Sequence, residues 1–317
     1  MAKPKSQPEP RRPKPLIVPP RKEHTHTIIL LHDKGDKGRE FGRAFLKTMA
    51  LQDHVPTVRF VFPCAFNAPV PPSTAAGDTQ ARPPKRVQTP TQWFDNPPHI
   101  RECANAMASL VETAQFLQRL VHEEAKVIAQ TGRYGMHQAH RRIFIGGKGQ
   151  GGAAALLYLL GSHRQLGGVI CFDAVLPWEY QLEVALEVTV LGGGNGNIGA
   201  VRGLNLVRCL LGFEGRDGRS DLARNMDGLH HLRTPVFFGC GGESRGSGQA
   251  TVSLLDCAFR MHVTERWCGK GGKQWYTQPD NVEAVLWFLS GACVPRVYNV
   301  TEGDVSRGSK EAGEKEV

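Results

Sequence analysis

Short, continuously apolar runs alternate along the chain with longer stretches in which apolar residues return every three to four positions. Thr27-Ile28-Ile29-Leu30-Leu31 is β-branched, unbroken by polar residues, and read as a buried strand. It ends in His32-Asp33-Lys34-Gly35-Asp36, a loop, and a helix is predicted from Glu40 to Ala50. Val58–Phe62 is a second strand, closed by Pro63. Residues 65–90 carry six prolines among small and polar residues, which predicts a long irregular loop. Residues 100–130 predict a long helix, with Ala104, Met107, Leu110, Val111, Ala114, Leu117, Leu120 and Val121 at helical spacing. Arg142–Ile145 is the next strand, followed by a glycine-rich turn and a helix over Ala153–Leu160. Val169–Phe172 and Thr234–Phe238 are further strands, and helices are expected at about 251–261 and 280–289.

Unbroken apolar strands alternating with helices predict a mostly parallel sheet with helices on both faces, the α/β class. Such sheets place their sites at the carboxyl ends of the strands. Residues 178–232 interrupt the rhythm, with Gly192-Gly193-Gly194-Asn195-Gly196 at their centre, and read as an inserted excursion over the site. The division expected is a basic, proline-rich disordered tail over 1–24, one domain over 25–295, and a disordered polar tail over 296–317.

Charge and composition narrow this picture. The net charge is +9. Within the first 24 residues, Lys3, Lys5, Arg11, Arg12, Lys14, Arg21 and Lys22 outnumber Glu9 and Glu23. Weak contact of this tail with an anionic surface is one expectation. No aromatic residues interleave its charges, so nucleic-acid binding is not expected. No run approaches the roughly 18 consecutive apolar residues of a membrane span. Eight cysteines lie without paired spacing, which predicts reduced thiols and a cytoplasmic, or nuclear, protein. No His/Cys spacing predicts a metal site; His24, His26, His230 and His231 stand apart from any cluster.

The chemistry should lie at the turn after Ile143–Ile145. Gly147-Lys148-Gly149-Gln150-Gly151 joins a strand to an alanine-rich helix, the setting of a nucleophile elbow, but Gly149 stands where the nucleophile would be and carries no hydroxyl. Glycine-rich turns also cradle phosphates. Here the register is not that of a dinucleotide fold, and Asp173 is the one acid near the end of the next strand.

From about residue 27 to 290 the chain resembles the acyl-protein thioesterase / phospholipase-carboxylesterase family, particularly its fungal members. The resemblance rests on Ile28–Asp36, Gln92-Trp93-Phe94-Asp95, Arg142–Ala153, Leu176-Pro177, Leu204–Gly212, Thr234–Gly241 and Trp275–Leu289, in that order. It implies an α/β-hydrolase fold and cofactor-free hydrolysis of acyl thioesters and esters, including S-palmitoyl groups on proteins. Carried across residue by residue, the family's serine falls on Gly149, its acid on Ser244 and its histidine on Gln274. The oxyanion-hole donors fall on the backbone N–H groups of Lys34 and Gln150, with Asp33 where the family has glycine. His32, Trp93, Phe94, Leu176 and Trp275 would line the pocket. The resemblance therefore implies a homologue that has lost catalysis and binds an acyl chain or a lipidated protein. The alternative is an active hydrolase with a shifted site, because Gly242-Glu243-Ser244-Arg245-Gly246 spells Gly-x-Ser-x-Gly. Ser244 lies six residues past Phe238, beyond the reach of an elbow turn, and His262 is the only histidine downstream.

Overall fold

The computed structural model describes residues 12–67, 91–95, 103–187, 196–213, 229–241, 245–267 and 279–297. The strands are β1 (Leu16–Val18), β2 (His26–Leu31), β3 (Val58–Phe62), β4 (Phe66–Asn67), β5 (Thr91–Gln92), β6 (Ile143–Lys148), β7 (Gly168–Phe172), β8 (Val236–Cys240) and β9 (Val263–Trp267). The helices are α1 (Gly38–Met49), α2 (Leu51–His54), α3 (Cys103–Ala129), α4 (Met136–His140), α5 (Gln150–Gly161), α6 (Glu179–Glu187), α7 (Gly196–Leu210), α8 (Arg245–Ser253) and α9 (Pro279–Gly291).

Seven strands form one sheet in the order β1-β3-β2-β6-β7-β8-β9. All neighbours are parallel except the edge pair β1 and β3. The order reverses between β2 and β6, so the loops leaving these two strands open a crevice at their carboxyl ends. A mostly parallel sheet with helices packed on both faces is the α/β arrangement expected from the sequence.

The unbroken apolar strands are explained by burial on both faces. Successive side chains of β2 alternate: Ile29 and Leu31 join the core beneath α3, α5 and α7, while Ile28 and Leu30 join the core with Phe41, Phe45, Val285 and Leu289 of α1 and α9. α5 sits where both the strands and the flanking helices enclose it, and every residue from Gly151 to Gly161 is buried. In α3 the buried set Leu110, Ala114, Leu117, Val121, Ala125 and Ile128 keeps the predicted spacing.

Four expectations change. Residues 12–24 are not a disordered extension: the apolar triplet Leu16-Ile17-Val18, set off by Pro15 and Pro19, pairs with Phe60–Phe62 as an edge strand. Flanking prolines suit an edge, where one side of the strand needs no donor. A seventh strand, β9, follows the helical segment near 251–261, because α8 ends at Ser253 and a single π turn, Leu254–Ala258, leads out of it. Its alternation is hidden in the sequence by Thr264, Glu265 and Arg266 on an edge. Within the region read as an excursion, α7 packs Ala200, Val201, Leu204 and Val207 into the core beside α5. At the other end, Arg296 pairs with Glu283 and the Val297 N–H donates to the His54 carbonyl at 2.8 Å.

Among the described residues no helix is long and apolar enough to cross a membrane, and no group of three His, Cys, Asp or Glu could hold a metal ion. Six cysteines (Cys64, Cys171, Cys209, Cys240, Cys257 and Cys293) are free.

Candidate functional site

The glycines of the turn are dictated by close packing. A Cβ at Gly147 would lie 2.2 Å from the Leu31 carbonyl oxygen, and one at Gly151 would lie 2.5 Å from the carbonyl oxygens of Leu31 and His32. Strand β6 and helix α5 therefore press directly on the end of β2. Between them Gly149 has φ +50° and ψ −120°, a strained conformation that glycine adopts freely and other residues do not. Its N–H donates to the Phe172 carbonyl at 2.8 Å, which locks the turn to β7.

Asp33, the first loop residue after His32, fills the space above Gly149. A Cβ at Gly149 would lie 2.1 Å from Asp33 Oδ1 and 2.4 Å from its Cγ. The same Oδ1 accepts the Lys34 N–H at 2.7 Å and the Gln150 N–H at 3.0 Å. These are the two donors expected to line an oxyanion hole, and both point at one carboxylate oxygen of the chain itself. The carboxylate thus stands where the developing negative charge of an acyl-transfer reaction would be held.

The neighbouring residues are tied into a rigid wall. Gln150 grips the segment after β5 at both ends of its amide: Oε1 accepts the Trp93 N–H at 2.9 Å and Nε2 donates to the Phe94 carbonyl at 2.7 Å. Trp93 Nε1 donates to the His32 carbonyl at 2.8 Å, and the Thr113 hydroxyl donates to the Trp93 carbonyl. His32 is fully engaged. Its Nδ1 lies 2.7 Å from the Asp33 carbonyl, which can only accept, so Nδ1 carries the proton; Nε2 accepts the Ala65 N–H at 3.0 Å. Burial pushes its pKa down, against the opposing pull of the Asp33 carbonyl and the carboxylates of Asp36 and Asp33. A neutral imidazole with both nitrogens occupied is a strut and not a base.

Phe94 packs on Trp178 with ring centroids 6.1 Å apart, and Leu176 is held by its N–H donating to the Thr251 hydroxyl at 3.0 Å. His32, Trp93, Phe94, Gln150 and Lys34 are thus connected around Gly149, and Leu176 anchors the loop after β7 to α8. Ser244, Gln274 and Trp275 lie outside the described residues. Just past the end of β8, the Gly241 N–H donates to Asp173 Oδ1 at 2.7 Å. Asp173 is thereby used as a brace between β7 and β8 in place of the ribose-binding acid of a dinucleotide fold.

Arg12 was not legible as part of this region. Its guanidinium carbon lies 3.7 Å from the ring centre of Phe66, 4.0 Å from Phe116 and 5.7 Å from Trp93, and Nη2 donates to Thr113 at 3.4 Å. Nε and Nη1 are buried without partners among the described residues. Burial lowers its pKa to about 10, opposed by Glu112 and reinforced by Arg119. Only the apolar triplet at 16–18 signalled that the chain before residue 25 is held down.

Residues 12–190 match the sequence profile of the family described as Phospholipase/Carboxylesterase. Acyl-protein thioesterase 1 of Cryptococcus neoformans is 26% identical over 193 residues, 58% of this chain and 71% of that protein. Acyl-protein thioesterase 1 of Yarrowia lipolytica is 30% identical over 172 residues, 52% of this chain and 64% of that protein. The crystal structure of Zea mays acyl-protein thioesterase 2 matches with a TM-score of 0.53 at 17% identity, covering 88% of this chain and 98% of that one. At that identity the likeness is one of fold.

Proposed function

The chain belongs to the phospholipase/carboxylesterase family, and on that premise we propose that it no longer hydrolyses esters or thioesters and uses the inherited site to bind. The ligand class is an acyl chain, free or attached to a protein. The observation that carries this reading is the Asp33 carboxylate seated over Gly149, accepting both N–H donors of the turn. A reaction through this site needs a nucleophile at position 149 and a vacant hole for an oxyanion. Glycine supplies no nucleophile, and the carboxylate meets an incoming oxyanion with like charge. Loss of a serine nucleophile and its base costs about 10⁶ in rate, which leaves too little for a useful hydrolase. The residues expected to line a pocket, His32, Trp93, Phe94 and Leu176, are themselves buried, so the surface left for an acyl chain is the half-buried Trp178, packed on Phe94. The same reading places the protein in the cytoplasm, supported by its free cysteines.

The test is a fluorophosphonate probe, which labels only an activated serine, run beside a chromogenic medium-chain ester and a fluorescent fatty acid. The expected outcome is no labelling, no turnover above buffer and saturable fatty-acid binding. Labelling and turnover that both vanish in Ser244→Ala would establish the shifted active site instead.

A further inference from the structure

On the face of the sheet that packs α1 and α9, the last two strands, β8 and β9, border a groove of about 550 Å³. It opens toward the amino ends of these strands, at Pro235, Phe237, His262 and Thr264, and its other wall is the second half of α9. Residues 268–278 join the opposite ends of β9 and α9. After α9, the Val297 N–H donates to the carbonyl of His54, which precedes β3, four places from β8 in the sheet. The described ends of both connections therefore lie away from the groove.

α9 borders this groove with a pattern that a second helix can read. Ala284, Trp287, Phe288 and Gly291 stand at i, i+3, i+4 and i+7, the four corners of a hole into which a side chain of a facing helix fits. The hole is held from beneath, because the Phe288 ring meets Phe237 at 5.6 Å and Phe144 at 6.4 Å between centroids. Gly291 leaves one corner open: a Cβ there would meet nothing within 4 Å. The knob stands beside the hole. Trp287 is 66% exposed, which leaves most of an indole in water one turn before the end of the helix.

The geometry points to an isologous dimer in which α9 packs antiparallel on α9 of a second copy of this chain. Under a two-fold axis midway between positions 287 and 288, position 284 faces position 291 of the other copy and 287 faces 288, so each Trp287 enters the other's hole beside Gly291. A small ligand in the groove would leave Trp287 in water, and a flat partner would leave the hole empty. A second copy supplies both the knob and the hole. The rim on β9 carries both signs, Glu265 and Arg266, so two copies are not driven apart by like charge. Two indoles remove about 300–500 Å² from water, at about 150–250 Å² each. Eleven residues line the groove, about half of the roughly 20–30 a side in a standard interface. The dimer is therefore a weak one, with a Kd of about 10–100 µM. Gly149 follows β6 at the carboxyl end of the sheet, so the dimer leaves that region open, and failure of either reading leaves the other standing.

Sedimentation velocity of the full chain from about 1 to about 200 µM tests it, with the sedimentation coefficient expected to rise by mass action toward that of a dimer. Trp287→Ala removes the knob and Gly291→Leu fills the hole. Both positions are exposed, so each variant should keep the thermal midpoint of the dilute protein and associate about tenfold or more weakly. An equimolar mixture of the two variants separates this geometry from a general loss of apolar surface. In the mixed pair one intact Trp287 meets one open hole, while the altered knob meets the filled hole without a clash. The mixture should associate at least about threefold more tightly than either variant alone. A parent chain that stays monomeric at about 200 µM, a variant that associates as the parent does, or a mixture no tighter than its components would overturn the proposal.

Discussion

Placing a serine at position 149 tests whether the turn has been rebuilt around glycine. In Gly149→Ser the new Cβ would fall 2.1 Å from Asp33 Oδ1, a distance no pair of atoms tolerates, at a backbone φ of +50°. The strained conformation alone costs a side-chain-bearing residue about 1–3 kcal/mol. Asp33 must also swing away, leaving the Lys34 and Gln150 N–H groups without their acceptor. A hydrogen bond to a charged partner is worth about 1.5 kcal/mol or more, though Asp33 is half-exposed and water recovers part of that. The expected destabilisation is about 2–5 kcal/mol, read from the urea midpoint at constant slope. For a domain of this size that lowers the thermal midpoint by about 2–4 °C per kcal/mol. Asp33→Gly/Gly149→Ser removes the clash, so the two changes should couple favourably by about 1–3 kcal/mol in a double-mutant cycle. Neither protein should turn over an ester, because a serine alone has no base. A Gly149→Ser protein as stable as the parent, or a coupling within about 0.5 kcal/mol of zero, would refute the reasoning.

Other consequences follow from buried charges. Burial first, then Arg142 and His24, pushes His26 down to about pKa 3. The unfolded chain therefore binds a proton here that the folded chain does not, between about pH 6.5 and about pH 3. Stability should be full above that window and fall with acidification through it, by up to about 1.4 kcal/mol per pH unit; His26→Gln should flatten the slope in acid denaturation. Glu124, buried, accepts from Arg59 Nε at 2.9 Å. Glu124→Ala leaves that arginine without its partner and should cost about 2–4 kcal/mol in chemical unfolding, with Glu124→Gln losing less. Arg12→Ala empties the space between Phe66 and Phe116 and should cost about 1–2 kcal/mol, whereas Arg12→Met should keep most of the stability by filling it. Equal losses in both Arg12 variants would show that the charge, and not the packing, is what counts.

The sequence by itself determined the elements whose patterns are local. The runs 27–31, 58–62, 142–145, 169–172 and 234–238 declared themselves as strands because burial on both faces keeps them almost wholly apolar, with Arg59 and Arg142 the charged exceptions. The long helix α3 showed its buried face, and the glycines around Gly149 marked a turn too tight for side chains. The order of short motifs was enough to imply the family, to which the chain does belong. Edge elements escaped: β1 is three residues among prolines, and β9 mixes charge with apolar positions, since an edge needs only one partner and tolerates polar residues on its open faces. Tertiary structure alone decided the rest. A carboxylate at position 33 could have pointed to water, and only the approach of β2 to the β6–α5 turn, 117 positions along the chain, lays its oxygen on the Gln150 N–H. In the same way Arg12 reads as a solvated tail charge until folding brings Phe66, Trp93 and Phe116 around it. Contacts between residues so far apart leave no periodic trace, because each depends on where the whole sheet sets its neighbours and not on the residues beside it.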